Sequence, residues 1–178
     1  MTWSLGTVTW SAHMTVDPAP PMTRGAFVAA YGGVYENSPW VAERAFAMAD
    51  SNLADAEHIA AALRCAVDEA SASARRDLLR AYPELTAAVT LSAESKKEHA
   101  SAGLDHCTPA QQEKFRDLNR AYRKKFGFPF IIAVRGKSAG EILQTFTERL
   151  GNAQAAEEKT ALAEVHKIAA LRMAQSAA

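Results

Sequence analysis

The apolar positions of this chain recur at helical intervals over most of its length. Phe115, Leu118, Tyr122 and Phe126 step by three or four residues, which puts them along one side of a helix. Leu162, Val165, Ile168, Ala169 and Met173 predict the buried face of a last helix in the same way. Start and stop residues bracket these stripes. Thr108-Pro-Ala-Gln111 and Ser138-Ala-Gly-Glu141 are capping boxes, in which a hydroxyl accepts from a first-turn N–H and the third residue's side chain returns the bond. Thr23, Ser38 ahead of Pro39, Ser92 and Asn152 are further expected caps, and Gly32-Gly33, Gly103, Gly127 and Gly151 are stops. The Tyr82-Pro83 step closes a helix that starts at Ala72, because the residue before proline avoids helical geometry. Phe128-Pro-Phe-Ile-Ile-Ala-Val134 is strongly β-prone but too short for a sheet of its own, so an extended connection is expected there. The pattern predicts an all-α fold, a compact bundle of about seven to nine helices. Residues 1–22, with the proline-rich end Asp17–Met22, read as a flexible or extended arm, and residues 23–178 as one domain.

Composition narrows the function classes. With 178 residues, 48% hydrophobic and 22% charged, the chain can bury one ordinary core and is not a disordered polymer. Twenty basic residues balance twenty acidic ones, which gives no case for a nucleic-acid or acidic-membrane partner. Lys114, Arg116, Arg120, Arg123, Lys124 and Lys125 crowd one helix, but they spread around it and read as a solvated face. No apolar run approaches the roughly 18 residues of a membrane span. Cys65 and Cys107 have no zinc-ligand spacing and fit free thiols of an intracellular protein, so the cytoplasm is the expected compartment. The sequence holds no HExxH, no glycine-rich phosphate loop and no paired-histidine motif, and predicts no metal.

Candidate chemistry gathers at a few places. Ser95, Glu98 and His99 lie three and four residues apart, on one side of a predicted helix, where a carboxylate and an imidazole can move protons near neutrality. Ordinary solvated polar residues would give the same spacing. Asn119 borders an apolar stripe and is expected to clamp the backbone of Phe128–Val134. That backbone, outside any sheet, presents N–H and C=O groups that a planar, amide-rich ligand can satisfy. Arg135 and Arg172 sit at or within apolar runs, where a guanidinium fork suits a carboxylate of the protein or of a substrate.

Three longer stretches add a family likeness. Tyr35-Glu-Asn-Ser-Pro-Trp-Val-Ala-Glu-Arg-Ala-Phe46, Ser95-Lys-Lys-Glu-His-Ala-Ser-Ala-Gly-Leu104 and Asn119-Arg-Ala-Tyr-Arg-Lys-Lys-Phe-Gly-Phe-Pro-Phe-Ile-Ile-Ala-Val-Arg-Gly136 closely resemble the 2-oxo-4-hydroxy-4-carboxy-5-ureidoimidazoline (OHCU) decarboxylase family. Arg149-Leu-Gly-Asn152 and Ile168-Ala-Ala-Leu-Arg172 continue the likeness, which covers about residues 23–173. The resemblance implies an all-helical, cofactor-independent carboxy-lyase, commonly a homodimer, that converts OHCU to (S)-allantoin in urate degradation. It implies that Glu98 is catalytic, that Ser95 contacts substrate, and that the backbone of Phe128, Pro129, Phe130, Ile131 and Ile132 addresses the ureido and imidazoline groups. Arg135 and Arg172 match the family's arginines, with Arg172 as the active-site one.

The chain departs from the family at three points. An Ala-His-Pro signature with a catalytic histidine reads Ala81-Tyr82-Pro83 here, the loop Thr86–Leu91 is shortened, and His99 replaces a glutamine beside the catalytic glutamate. Tyrosine has a reference pKa of about 10 against about 6.5 for histidine, which makes it a poor proton relay at pH 7. The expectation is that Tyr82 and Pro83 wall the pocket while Glu98 and His99 handle the proton. The alternative is a weakened or inactive relative that binds a ureide-like ligand or a partner protein.

Overall fold

The computed structural model describes residues 22–49, 53, 55–85 and 104–176. Among these, seven α-helices and one short 3-10 turn account for the regular structure. They are α1 (Arg24–Tyr31), α2 (Trp40–Met48), α3 (Ala56–Asp68), α4 (Ala72–Arg80), the turn Leu104–His106, α5 (Pro109–Phe126), α6 (Ala139–Leu150) and α7 (Gln154–Ser176). The expected all-α bundle is what forms. Phe128–Val134 is extended backbone without a strand partner among the described residues.

Local chemistry explains most boundaries. Thr23 Oγ1 accepts from the Ala26 amide and Ser71 Oγ from the Ala74 amide, and both predicted capping boxes are complete. Gly127 ends α5 at φ 77°, a left-handed conformation that costs glycine little. Two expected caps differ. Helix α2 is preceded by Pro39 and has no side-chain cap, so Ser38 contributes only its carbonyl, which accepts from Val41. Asn152 lies ahead of α7 and donates through Nδ2 to Glu157 Oε2 at 2.7 Å. The expected cap at Ser92 and stop at Gly103 lie outside the described residues.

Helix α7 is the spine. It packs on α3, α4 and α5, while α1 meets α2, α2 meets α3, and α5 meets α6. Its inner line runs Glu157, Ala161, Val165, Ile168, Ala169 and Arg172, so the buried stripe carries a charge near each end. Leu162 and Met173, expected on that face, are only partly buried against it. On α5 the buried line is Phe115, Asn119, Tyr122 and Phe126, with Asn119 taking the place expected for Leu118. Phe130 stacks on Phe146 with centroids 3.9 Å apart, and Tyr122 meets Phe128, Phe130 and Phe146 edge-on. Each such pair contributes about 0.5–1.5 kcal/mol beyond burial, so the cluster anchors the extended segment in the core.

Candidate active site

The extended segment needs partners for its backbone, and the fold supplies them from two helices. Arg149 Nη1 donates to the Ile131 carbonyl at 2.8 Å, and the Ala133 amide donates to Glu164 Oε2 at 2.8 Å. Arg149 is itself locked. Its Nε and Nη2 both donate to Glu157 Oε1, its guanidinium lies 4.5 Å from the Phe130 ring centroid, and Tyr122 donates a further short hydrogen bond to the same oxygen. Burial first, and then the bond to Glu157, push the Tyr122 phenol far above its ordinary pKa. Asn119 was expected to hold this stretch, and it does not. Its Nδ2 donates instead to the Leu85 carbonyl at 2.9 Å, at the end of the Tyr82–Leu85 turn. A helix-borne amide reaches the backbone packed across from it, and across from Asn119 stands Leu85 rather than Phe128.

A second polar cluster lies at the other end of α7. Arg172 Nη2 donates to Glu36 Oε2 at 2.8 Å, with both side chains almost fully buried. Tyr82 sits in the same cluster at 7% exposure, and its hydroxyl makes no hydrogen bond of standard geometry among the described residues. Burial raises the Tyr82 phenol well above its ordinary range, while the Arg172 charge and the nearby Glu36 backbone amide pull it back. Tyr82 is therefore neutral at any physiological pH, a hydrogen-bond donor and not a base. Glu36 belongs to the turn between α1 and α2, and its neighbours are anchored too. Tyr35 Oη is 2.9 Å from His166 Nδ1, His166 Nε2 is 3.1 Å from Asp68 Oδ1, and Asn37 Nδ2 donates to the Ala81 carbonyl at 3.3 Å. Asn37 adopts φ 46° to make this tight turn, a conformation that asparagine tolerates better than most residues.

The structure thus brings Tyr82 and Arg172 together. Phe128, Phe130, Ile131 and Ile132 are in the core, with Pro129 also buried. Pro83 is half-buried beside Tyr82. Arg135 stands apart. It is exposed on the rim of a surface groove of about 720 Å³ that Ile132, Lys137 and Lys167 also line and Arg172 does not. Glu98, His99 and Ser95 lie outside the described residues. Among the described residues no group of three or more His, Cys, Asp or Glu side chains is placed to hold a metal ion, and no helix is long and apolar enough to cross a membrane.

Sequence reasoning missed the buried polar groups Glu36, Tyr35, Arg149 and Glu157, and His166 with its exposed partner Asp68. One signal was available for Glu157, since it falls on the apolar line of α7 four residues before Ala161. Asp68 and His166 are 98 positions apart and meet only through helix packing, so no spacing rule reaches them.

Residues 20–174 match the family model described as OHCU decarboxylase. The chain is 42% identical over 161 residues to the 2-oxo-4-hydroxy-4-carboxy-5-ureidoimidazoline decarboxylase of Halalkalicoccus jeotgali, covering 90% of each protein. It is 38% identical over 163 residues to the Haloferax volcanii protein of the same name, covering 92% of this chain and 96% of that one. Among solved structures it is similar to an (S)-allantoin synthase, with TM-score 0.72 and 31% identity over 86% of this chain and half of that longer one.

Proposed function

Because the chain belongs to the OHCU decarboxylase family, we propose that it removes carbon dioxide from 2-oxo-4-hydroxy-4-carboxy-5-ureidoimidazoline and yields (S)-allantoin in urate degradation. The family match over residues 20–174 carries this reading, and the Tyr82–Arg172–Glu36 cluster supplies one wall of its site. The reaction breaks the bond between the ring carbon and the carboxylate. Its electron pair flows into the adjoining imine, and collapse of the resulting enol to a carbonyl places one proton on the neighbouring ring carbon. A site must hold the leaving carboxylate out of the ring plane, stabilise developing charge and expose one face to the proton.

The residues divide this work. Arg172, held by Glu36, offers a fixed guanidinium to anionic oxygen on the substrate. Backbone groups of Phe128–Ile132 other than the Ile131 carbonyl, which Arg149 engages, address the ureido and imidazoline amides. Glu98 and His99 handle the proton, and Ser95 contacts substrate beside them. Tyr82, held neutral by burial, walls the pocket with Pro83 and excludes water; it does not replace the family's imidazole as a relay. Arg135, on a groove that Arg172 does not line, takes no part in this reading. The reading places a single domain over residues 23–178 in a cytoplasmic homodimer that needs no cofactor, a state that light scattering and metal-chelated assays address.

The decisive assay follows freshly generated OHCU by circular dichroism. Spontaneous decay gives racemic allantoin, so an (S) excess is the enzyme's signature. Tyr82 at the family's histidine position favours a second reading, a relative that binds ureides without turning them over. Binding of (S)-allantoin with no (S) excess would establish that alternative.

A further inference from the structure

We propose that Tyr35, His166 and Asp68 form a positioning chain that holds Glu36, and through it Arg172 and Tyr82, in the arrangement the decarboxylation needs. The inference rests on the reading of Arg172 as a substrate-facing group. It assigns work to an imidazole other than His99 in a protein whose family histidine is Tyr82.

The geometry begins in the turn between α1 and α2. Tyr35 and Glu36 are consecutive, both nearly inaccessible, and both anchored on α7, Tyr35 through His166 and Glu36 through Arg172. Asn37 then ties the same turn to Ala81, the residue before Tyr82. Consecutive Cα atoms are about 3.8 Å apart, so Tyr35 cannot shift without carrying Glu36 with it. Three consecutive residues of turn therefore connect three places: the α3 end at Asp68, the α7 guanidinium and the α4 exit at Tyr82.

The chain also has a defined proton arrangement. Asp68 accepts, so His166 carries its proton on Nε2 and presents Nδ1 as an acceptor, and the Tyr35 phenol must donate to it. Protonating His166 makes both ring nitrogens donors. Tyr35 then can only accept from His166, and its own proton has to turn elsewhere. The charged groups facing His166 are Asp68 and Arg64 from α3, Arg75 from α4, and Glu158 and Lys159 from α7 itself. Burial and Arg64 hold the imidazole below its usual pKa against the pull of Asp68, so the neutral, holding form prevails at pH 7.

The test compares the full chain with Tyr35→Phe, His166→Gln and the double variant. Each is measured for kcat and KM on OHCU from pH 5 to 8, for helical circular dichroism, and for the Arg172 Nε–H resonance by NMR. The expected result is a kcat about tenfold lower in each single variant with KM within twofold and helicity intact. The double variant is no slower than Tyr35→Phe, and the acid limb of the native kcat profile is absent from Tyr35→Phe. The Arg172 Nε–H signal broadens or shifts in both singles. If that signal and kcat are unchanged in both, the proposal is overturned. If the native chain gives no (S) excess, the functional reading fails by itself. The Arg172 resonance then decides the positioning chain alone, an unchanged signal sinking it and a broadened one upholding it.

Discussion

Helix α7 buries a glutamate near its start and an arginine near its end, and each finds an opposite charge on another element. Glu157 and Arg172 are 15 residues apart, about 22 Å along the helix axis. Around Glu157 the polar groups interlock: two guanidinium nitrogens and a phenol share one oxygen, the Asn152 amide donates to the other, and the third guanidinium nitrogen donates to the Ile131 carbonyl. Around Arg172 a buried phenol hydroxyl, that of Tyr82, stands without a hydrogen bond of standard geometry among the described residues. A buried polar atom left so costs stability, and proteins keep such atoms where function gives a reason. The first cluster holds the extended segment in place; the second keeps a buried hydroxyl that no such bond satisfies among the described residues.

That contrast breaks most visibly at Glu157. Glu157→Ala leaves the Arg149 charge buried without its carboxylate and frees the Ile131 anchor. The expected loss is about 3–5 kcal/mol of stability, read by urea denaturation, with activity falling only as the fold is lost. Arg172→Lys sharpens the other side. An ammonium still neutralises Glu36, so the fold is retained, but the planar fork is gone. Turnover should fall by about 10²–10³-fold, the usual effect of removing one preorganised donor, with a smaller shift in the denaturation midpoint. A variant that loses stability and activity in proportion would make the Arg172 cluster merely a second scaffold.

The same two clusters show what a sequence can disclose. Capping boxes at Thr108 and Ser138, the Gly127 stop and the stripes of α5 and α7 are local chemistry, and local chemistry is written in consecutive residues. The family likeness points to Tyr82 and Arg172, and the structure puts these two in one cluster. Their partners were not legible. Glu36 is 136 positions from Arg172, and nothing in Tyr35-Glu-Asn marks which of those polar groups turns inward. The error over Asn119 has the same origin, because its reach depends on what α5 packs against. The Ser38 cap fails because Pro39 itself occupies the capping position.

A paired substitution of phenols gives a finer measure. Tyr122→Phe removes a donor to the buried Glu157 carboxylate and should cost about 1.5–3 kcal/mol, the range for hydrogen bonds to charged groups. Tyr82→Phe deletes a hydroxyl with no such bond and should be neutral or stabilising by up to about 1 kcal/mol, because a desolvated polar atom is relieved. Its effect on turnover should be small if Tyr82 only walls the pocket. A large loss of kcat at unchanged stability would instead make the Tyr82 hydroxyl a donor to the substrate, and equal stability losses in the two variants would erase the difference between the clusters.

The smallest expected effect is a pH dependence that belongs to His166, on the Arg172 side of the contrast, alone. His166 titrates below its ordinary value in the folded chain because burial disfavours the imidazolium. Between that lowered midpoint and about 6.5, the reference value, the unfolded chain binds more protons than the folded one, so stability rises with pH across the window. The contribution is complete above about 6.5 and is lost as pH falls through the folded midpoint, and its size is set by the gap between the two. His166→Gln should flatten this part of the stability curve, measured as denaturation midpoints from pH 5 to 7.5. Tyr122→Phe should leave the slope intact while lowering the whole curve, since the Tyr122 phenol is neutral throughout that range. If His166→Gln keeps the native slope, the acid sensitivity belongs to other groups and the Asp68–His166–Tyr35 chain loses its pH signature.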